Sequence, residues 1–217
     1  MKVRYPGLLK VLCFTLALIV MFSAYRIYID DTVQGQVRRL KLSDFVEGEP
    51  DPMNLALGSS TIRQMPDNVA CGPWLNRGIG NAKSPDILAY ISGLPKSKWQ
   101  RILLYTGDND IAFGASAEVA VERAVELIEA LHERLQPDVL YLLPVKTAPA
   151  RVKFADAYRS FNRQLADFAS RDSRTISLLE GSEVLDPFDS ELYKDDGIHL
   201  TETGYGKLLD RLQAVCR

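Results

Sequence analysis

Histidine is scarce in this chain, two residues in 217, and cysteine hardly commoner at three. No Cys-x-x-Cys pair and no histidine cluster occurs, which argues against a structural zinc site. Neither charge sign is in excess. The 26 Lys and Arg against 28 Asp and Glu leave a formal net charge of −2, so the basic footprint of a nucleic-acid binder is missing. Repeats and low-complexity tracts are absent. So is the Asn-x-Ser/Thr sequon, which favours a bacterial envelope over a eukaryotic secretory lumen. What is present, 47% hydrophobic and 25% charged residues, suffices for one globular core.

The one long apolar run is at the amino terminus. VLCFTLALIVMFSAY, from Val11 to Tyr25, carries no charge, and Leu8 to Ile29 makes 22 residues with only Lys10 and Arg26 near its ends. A helix of roughly 20 residues crosses a bilayer core, and long basic stems can carry their charge outward. A cleaved signal peptide is the alternative, but no small-x-small site follows the run. Residues 1–29 are therefore expected to be a cytoplasmic stub and an uncleaved transmembrane anchor. Lys2, Arg4 and Lys10 set the amino end inside and the rest outside, in a bacterial periplasm. Residues 30–50, polar and containing Gly35, Gly48 and Pro50, read as a linker. Residues 51–217 then form the domain.

Within it, short apolar runs alternate with helical patterns. Strands are expected at Met53–Leu57, Ile102–Tyr105, Val139–Leu143 and Thr175–Leu179, with a further short segment around Val69–Leu75. Helices are expected from Thr61 and from Pro85, then along a stripe from Val121 to Leu135. Another follows the stripe Phe154, Tyr158, Phe161, Leu165 and Phe168. The last begins after Thr201 as N-cap, burying Tyr205, Leu208, Leu209, Leu212 and Val215. This alternation predicts an α/β fold, a mostly parallel sheet with helices on both faces. Cys13 lies in the anchor. Cys71 and Cys216 fall on the side away from the crevice, where a disulfide fits an oxidising compartment and two unpaired thiols fit equally.

Four pieces fall at the carboxyl ends of these strands, where open α/β sheets place their chemistry. They are Gly58-Ser59-Ser60, the Asn76-Arg77-Gly78-Ile79-Gly80-Asn81 loop, Gly107-Asp108-Asn109-Asp110, and Asp196-Gly197-Ile198-His199. Serine needs a base to take its proton, and histidine suits that near neutral pH. His132 sits in the polar pattern of a long helix and is expected to be solvated, which leaves His199. Asp196, or alternatively Asp195, would orient the imidazole. Oxyanion donors would be the Ser60 amide, an amide of the glycine-rich loop and the Asn109 side chain. Each piece also has a plainer reading as a turn or a cap.

The four blocks, in this order, resemble the SGNH (GDSL-type) hydrolases over roughly residues 53–214. The resemblance implies a three-layer αβα sandwich with a flavodoxin-like parallel sheet, which the apolar run read above precedes as one N-terminal transmembrane helix. It aligns Ser60 with the nucleophile, Asp196 and His199 with the acid and base, and Asn109 with an oxyanion donor. Two positions depart from the pattern. Ser59 stands where the family has Asp, and Asn81 where it has the oxyanion glycine; a one-residue shift would give that role to Gly80. The implied activity is a serine esterase acting without metal or organic cofactor on an acylated small molecule, lipid or polysaccharide. A polysaccharide O-acyltransferase using the same site is a second reading, and a degenerate carbohydrate-binding or scaffolding domain a third.

Overall fold

A computed structural model describes residues 6–47, 54–178 and 185–216. Helices α1 (Pro6–Asp31) and α2 (Val33–Glu47) precede the domain. There follow β1 (Asn54–Gly58), α3 (Ser60–Arg63), β2 (Leu75–Gly78), α4 (Ser84–Ile91), β3 (Arg101–Tyr105), α5 (Asp108–Ala112) and α6 (Ala117–Arg134). The chain closes with β4 (Val139–Leu142), a 3-10 turn (Pro149–Phe154), α7 (Ala155–Ala169), β5 (Thr175–Ser177) and α8 (Glu202–Val215).

The five strands are parallel in the order β2-β1-β3-β4-β5, the flavodoxin-like order. Parallel strands covered on both faces must be apolar at every residue, which is why the central runs lack alternation. Odd and even residues then serve different layers. Leu55, Leu57, Ile102, Leu104, Leu140 and Leu142 pack with α4, α6 and α7. Ala56, Leu103, Tyr105 and Tyr141 pack with Ile62 of α3 and with Tyr205, Leu208 and Leu212 of α8. Ser116 caps α6, accepting the Val119 amide at 3.3 Å, and Thr201 caps α8, accepting Gly204 at 3.1 Å. The three-layer αβα expectation holds.

Several details differ from the sequence reading. The stretch expected as a linker contains α2, whose Val33, Val37 and Leu40 pack on the α4 side of the core. Apolar residues at spacing three and four make it a packed amphipathic helix despite its charge. The second strand is not around Val69–Leu75 but at Leu75–Gly78, so half the glycine motif is itself strand. His132 is buried, not solvated. Its Nε2 lies 2.9 Å from Thr175 Oγ1 and 3.0 Å from Asp172 Oδ2, and burial lowers its pKa with Asp172 opposing. Val215 is exposed. Cys71 and Cys216 are joined in a disulfide with their Cα atoms 5.4 Å apart, which decides between the two alternatives. Met53 and Leu179 lie outside the described residues.

Candidate active site

All four blocks sit along the carboxyl edge of the sheet. At the end of β1, Gly58 adopts φ +155°. A side chain there would run into the Tyr105 carbonyl of β3 and into Ile62, so only glycine permits the tight exit. Ser59 is fully buried, its Oγ without a hydrogen-bond partner among the described residues. Ser60, half-buried, opens α3, where the first amides have no intrahelical acceptor.

The β2 block is tied to α3. Asn76 donates from Nδ2 to the Ile62 carbonyl at 2.7 Å and accepts the Gly78 amide at 3.0 Å. Gly78 must lack a side chain because the Arg63 backbone crosses directly over it. The Gly80 amide is already committed: it donates to Gln36 Oε1 of α2 at 2.7 Å. Gln36, 2% exposed, also accepts from Arg63 Nη1 at 3.3 Å. Asn81 takes φ +61°, the left-handed region that Asn tolerates best after glycine. Of the two loop amides expected as donors, Gly80's is occupied by Gln36.

In the β3 block, Asn109 is 1% exposed and held at both ends of its carboxamide. Nδ2 donates to the Ala82 carbonyl at 3.0 Å, and Oδ1 accepts from Arg151 Nη2 at 2.9 Å. Arg151 reaches Asp108 Oδ2 with Nη1 at 3.3 Å. One Nδ2 hydrogen of Asn109 is thus left over. Asp110 ties the block to α4, accepting from the Ser84 amide at 2.9 Å and its hydroxyl at 3.1 Å.

The last block is a tight loop. Gly197 (φ +63°) donates to the Lys194 carbonyl at 2.8 Å, and Lys194 donates to the His199 carbonyl at 2.8 Å. Asp196 Oδ1 accepts the amides of Ile198 (2.8 Å) and His199 (2.9 Å), and Oδ2 lies 2.5 Å from His199 Nδ1. Burial pushes the Asp196 carboxyl up, but the His199 ring and the two amides outweigh it and hold it well below the usual carboxylate range. With Nδ1 donating to Asp196, Nε2 carries the lone pair. Asp195 is exposed and makes no such contact. The Tyr205 hydroxyl donates to the Thr61 carbonyl at 2.7 Å, and Lys194 to Gln64 at 2.8 Å. The first bond fastens α8, and the second the His199 loop, to the helix bearing Ser60. Among the described residues no hydrogen bond joins Ser60 Oγ to His199; such pairs often tighten only with substrate.

Three polar residues of the site carry no signal in the sequence reading: Gln36, Arg151 and Lys146. Lys146, 4% exposed, donates to Thr61 Oγ1 at 3.1 Å and lies 5.4 Å from the centre of the Tyr105 ring. Burial lowers its amine to about 8, with Asp108 opposing. A cavity of about 480 Å³ lined by Phe45, Leu55, Leu75, Tyr90 and Trp99 lies at the opposite edge of the sheet, where β1 and β2 begin. No cluster of three potential metal ligands occurs among the described residues.

A five-stranded parallel sheet in flavodoxin-like order, covered by helices on both faces, is the SGNH-type fold. The chain belongs to the GDSL-like lipase/acylhydrolase family, whose sequence model matches residues 46–207. Its fold is similar to a candidate platelet activating factor from Streptococcus pneumonia, with TM-score 0.69, 18% identity, and 93% of this chain and 99% of that one covered. It is likewise similar to a GDSL-like lipase from Bacteroides thetaiotaomicron, with TM-score 0.64, 16% identity, and coverage of 83% and 96%. A lipolytic G-D-S-L protein from Veillonella parvula gives TM-score 0.59 at 17% identity, with coverage of 75% and 96%. Comparison with curated protein sequences found no match.

Proposed function

We propose that the chain is an exported, membrane-tethered serine esterase. Ser60 Oγ attacks the ester carbonyl while His199 Nε2 takes its proton. Asp196 fixes the tautomer and stabilises the imidazolium. Negative charge on the carbonyl oxygen meets the amides of Ser60 and Asn81 and the remaining Nδ2 hydrogen of Asn109. Collapse breaks the bond to the alcohol oxygen, which leaves with the proton from His199. Water, deprotonated by the same nitrogen, then adds to the acyl carbon; the bond to Ser60 Oγ breaks, Oγ takes the proton back from His199, and the acid is released. The membership of the family supports the reaction class, and the 2.5 Å Asp196–His199 contact is the observation that carries the site. For the tether, α1 contains a 19-residue window, Lys10–Tyr28, apolar enough to cross a bilayer.

The test is a fluorophosphonate probe on the wild-type chain and on Ser60→Ala, followed by mass spectrometry of acyl products. One adduct, on Ser60 and lost in the variant, with free acid released, is the expected result. An adduct with acyl transfer to an added sugar hydroxyl would replace hydrolase by transferase. No adduct on either chain would refute the serine mechanism.

A further inference from the structure

The direction of α2 fixes which edge of the domain meets the membrane. Gln36, near its start, touches Gly80 just beyond the carboxyl end of β2. Asp44, further along, bonds Arg77 at 2.8 Å and Tyr90 at 2.5 Å. Phe45 reaches the cavity with Leu55 and Leu75, where β1 and β2 begin. Helix α2 therefore runs opposite to the strands, and its amino end stands at the carboxyl edge beside the candidate site.

Helix α1 joins α2 with no flexible stretch between them. Thr32 donates to the Tyr28 carbonyl from its amide (3.1 Å) and its hydroxyl (2.7 Å). It then receives Gly35 on Oγ1 at 3.0 Å and Gln36 on its carbonyl at 3.0 Å. One residue closes the first helix and opens the second. From Tyr28, the end of the apolar window, to Gln36 is at most about 12 Å at 1.5 Å per helical residue, and less where the chain bends at Thr32. A lipid headgroup layer is roughly 5–8 Å deep. The connections after the strands bear exposed apolar side chains: Phe113 after α5, Val152 after β4, and Phe188 ahead of the Asp196 loop, respectively 60%, 43% and 83% exposed. Leu42, Phe45 and Val46 at the far end of α2 are exposed too, so it is the path of the chain from α1, not exposure alone, that selects the carboxyl edge. Exposed aromatics at such a depth are what interfacial contact uses.

We propose that this carboxyl edge rests on the headgroup layer of the membrane spanned by α1, with Phe113, Val152 and Phe188 entering it. The site then takes an ester carried by an amphiphile of that same leaflet. The surface rests on α1 as a span, and the substrate on the esterase reading above. A hydrated polysaccharide would have to enter between the domain and the headgroups, whereas an amphiphile diffuses laterally to Ser60.

The test uses the full chain with Cys13→Ser in nanodiscs of phosphatidylethanolamine and phosphatidylglycerol carrying brominated acyl chains. A bimane label is placed through Phe188→Cys or, at the opposite edge, through Lys98→Cys. Several-fold stronger quenching at 188 than at 98 is expected; equal quenching overturns the surface. A second variant carries a rigid helical spacer of about 20 residues between Asp31 and Thr32, lifting the domain by ~30 Å. Turnover of a fluorogenic ester phospholipid in the disc should fall at least about tenfold, with p-nitrophenyl acetate unaffected. Phospholipid turnover indifferent to the spacer overturns the substrate assignment. If neither ester is turned over and Ser60 takes no fluorophosphonate, the esterase reading fails and the substrate assignment with it. The quenching contrast then decides the surface alone.

Discussion

Arg151 should act on catalysis through Asn109 without touching the ester. Its guanidinium bridges Asn109 Oδ1 at 2.9 Å and Asp108 Oδ2 at 3.3 Å, while the other end of the carboxamide stays on Ala82 at 3.0 Å. Removing Arg151 deletes a hydrogen bond to a charged group, worth about 1.5–3 kcal/mol. The Ala82 bond still opposes a flip, because a reversed carboxamide would set oxygen against oxygen. The loss should therefore stay below the roughly 10²–10³ that deleting an oxyanion donor costs. Arg151→Ala should lower kcat about 10- to 50-fold and leave KM within about twofold, the pattern of an interaction made in the transition state. Arg151→Lys, a point charge that cannot span both acceptors, should recover only part of this. In an Asn109→Ala background the same substitution should cost less than about twofold, since the two act as one unit. Steady-state kinetics on a soluble ester read the wild type and all four variants. Fully additive losses, or a change confined to KM, would refute the positioning role and make Arg151 a substrate contact.

Lys146 has a native pKa of about 8 against an ordinary 10.5. The unfolded chain thus holds the extra proton between these values, and stability should rise with pH across that window by on the order of 3 kcal/mol. Lys146→Met should flatten the rise in urea titrations at pH 7 and pH 10, and a parallel pair of curves would contradict it. Reduction of the disulfide, which closes a sequence separation of 145 residues, should cost up to about 5 kcal/mol on loop-entropy grounds. An unfolding midpoint unmoved in Cys71→Ser with Cys216→Ser would show that the bridge constrains nothing. Gln36→Ala strands the Gly80 amide without its acceptor, for about 1–3 kcal/mol. A Tm lowered by several degrees and a slower ester turnover are expected, and wild-type values for both would remove α2 from the site.

The strands were legible because burial on both faces forces unbroken apolar runs, such as Ile102 to Tyr105. The four blocks were legible because each joins a strand end to a turn whose residues have little freedom, as at Gly58 and Gly107. What could not be read shares one physical cause. Gln36, Arg151 and Lys146 gain their roles from partners 44, 42 and 85 residues away, and nothing in their own neighbourhood marks them. Helix α2 is hidden for the same reason: its polar composition conceals Asp44, whose carboxylate is met by Arg77 and Tyr90. His132 looked solvated until Thr175 and Asp172 closed over it. That the Gly80 amide is taken by Gln36, 44 residues away, is likewise invisible in the loop's own sequence.

The covalent link between Cys71 and Cys216 also serves as an address label. Thiols in a reducing cytoplasm stay open, whereas those in an oxidising compartment close. A mobility shift on a gel run with and without reductant, on chain taken directly from cells, therefore reports whether the folded part sits in a reducing or an oxidising compartment. The compartment can be read this way even before any substrate is known.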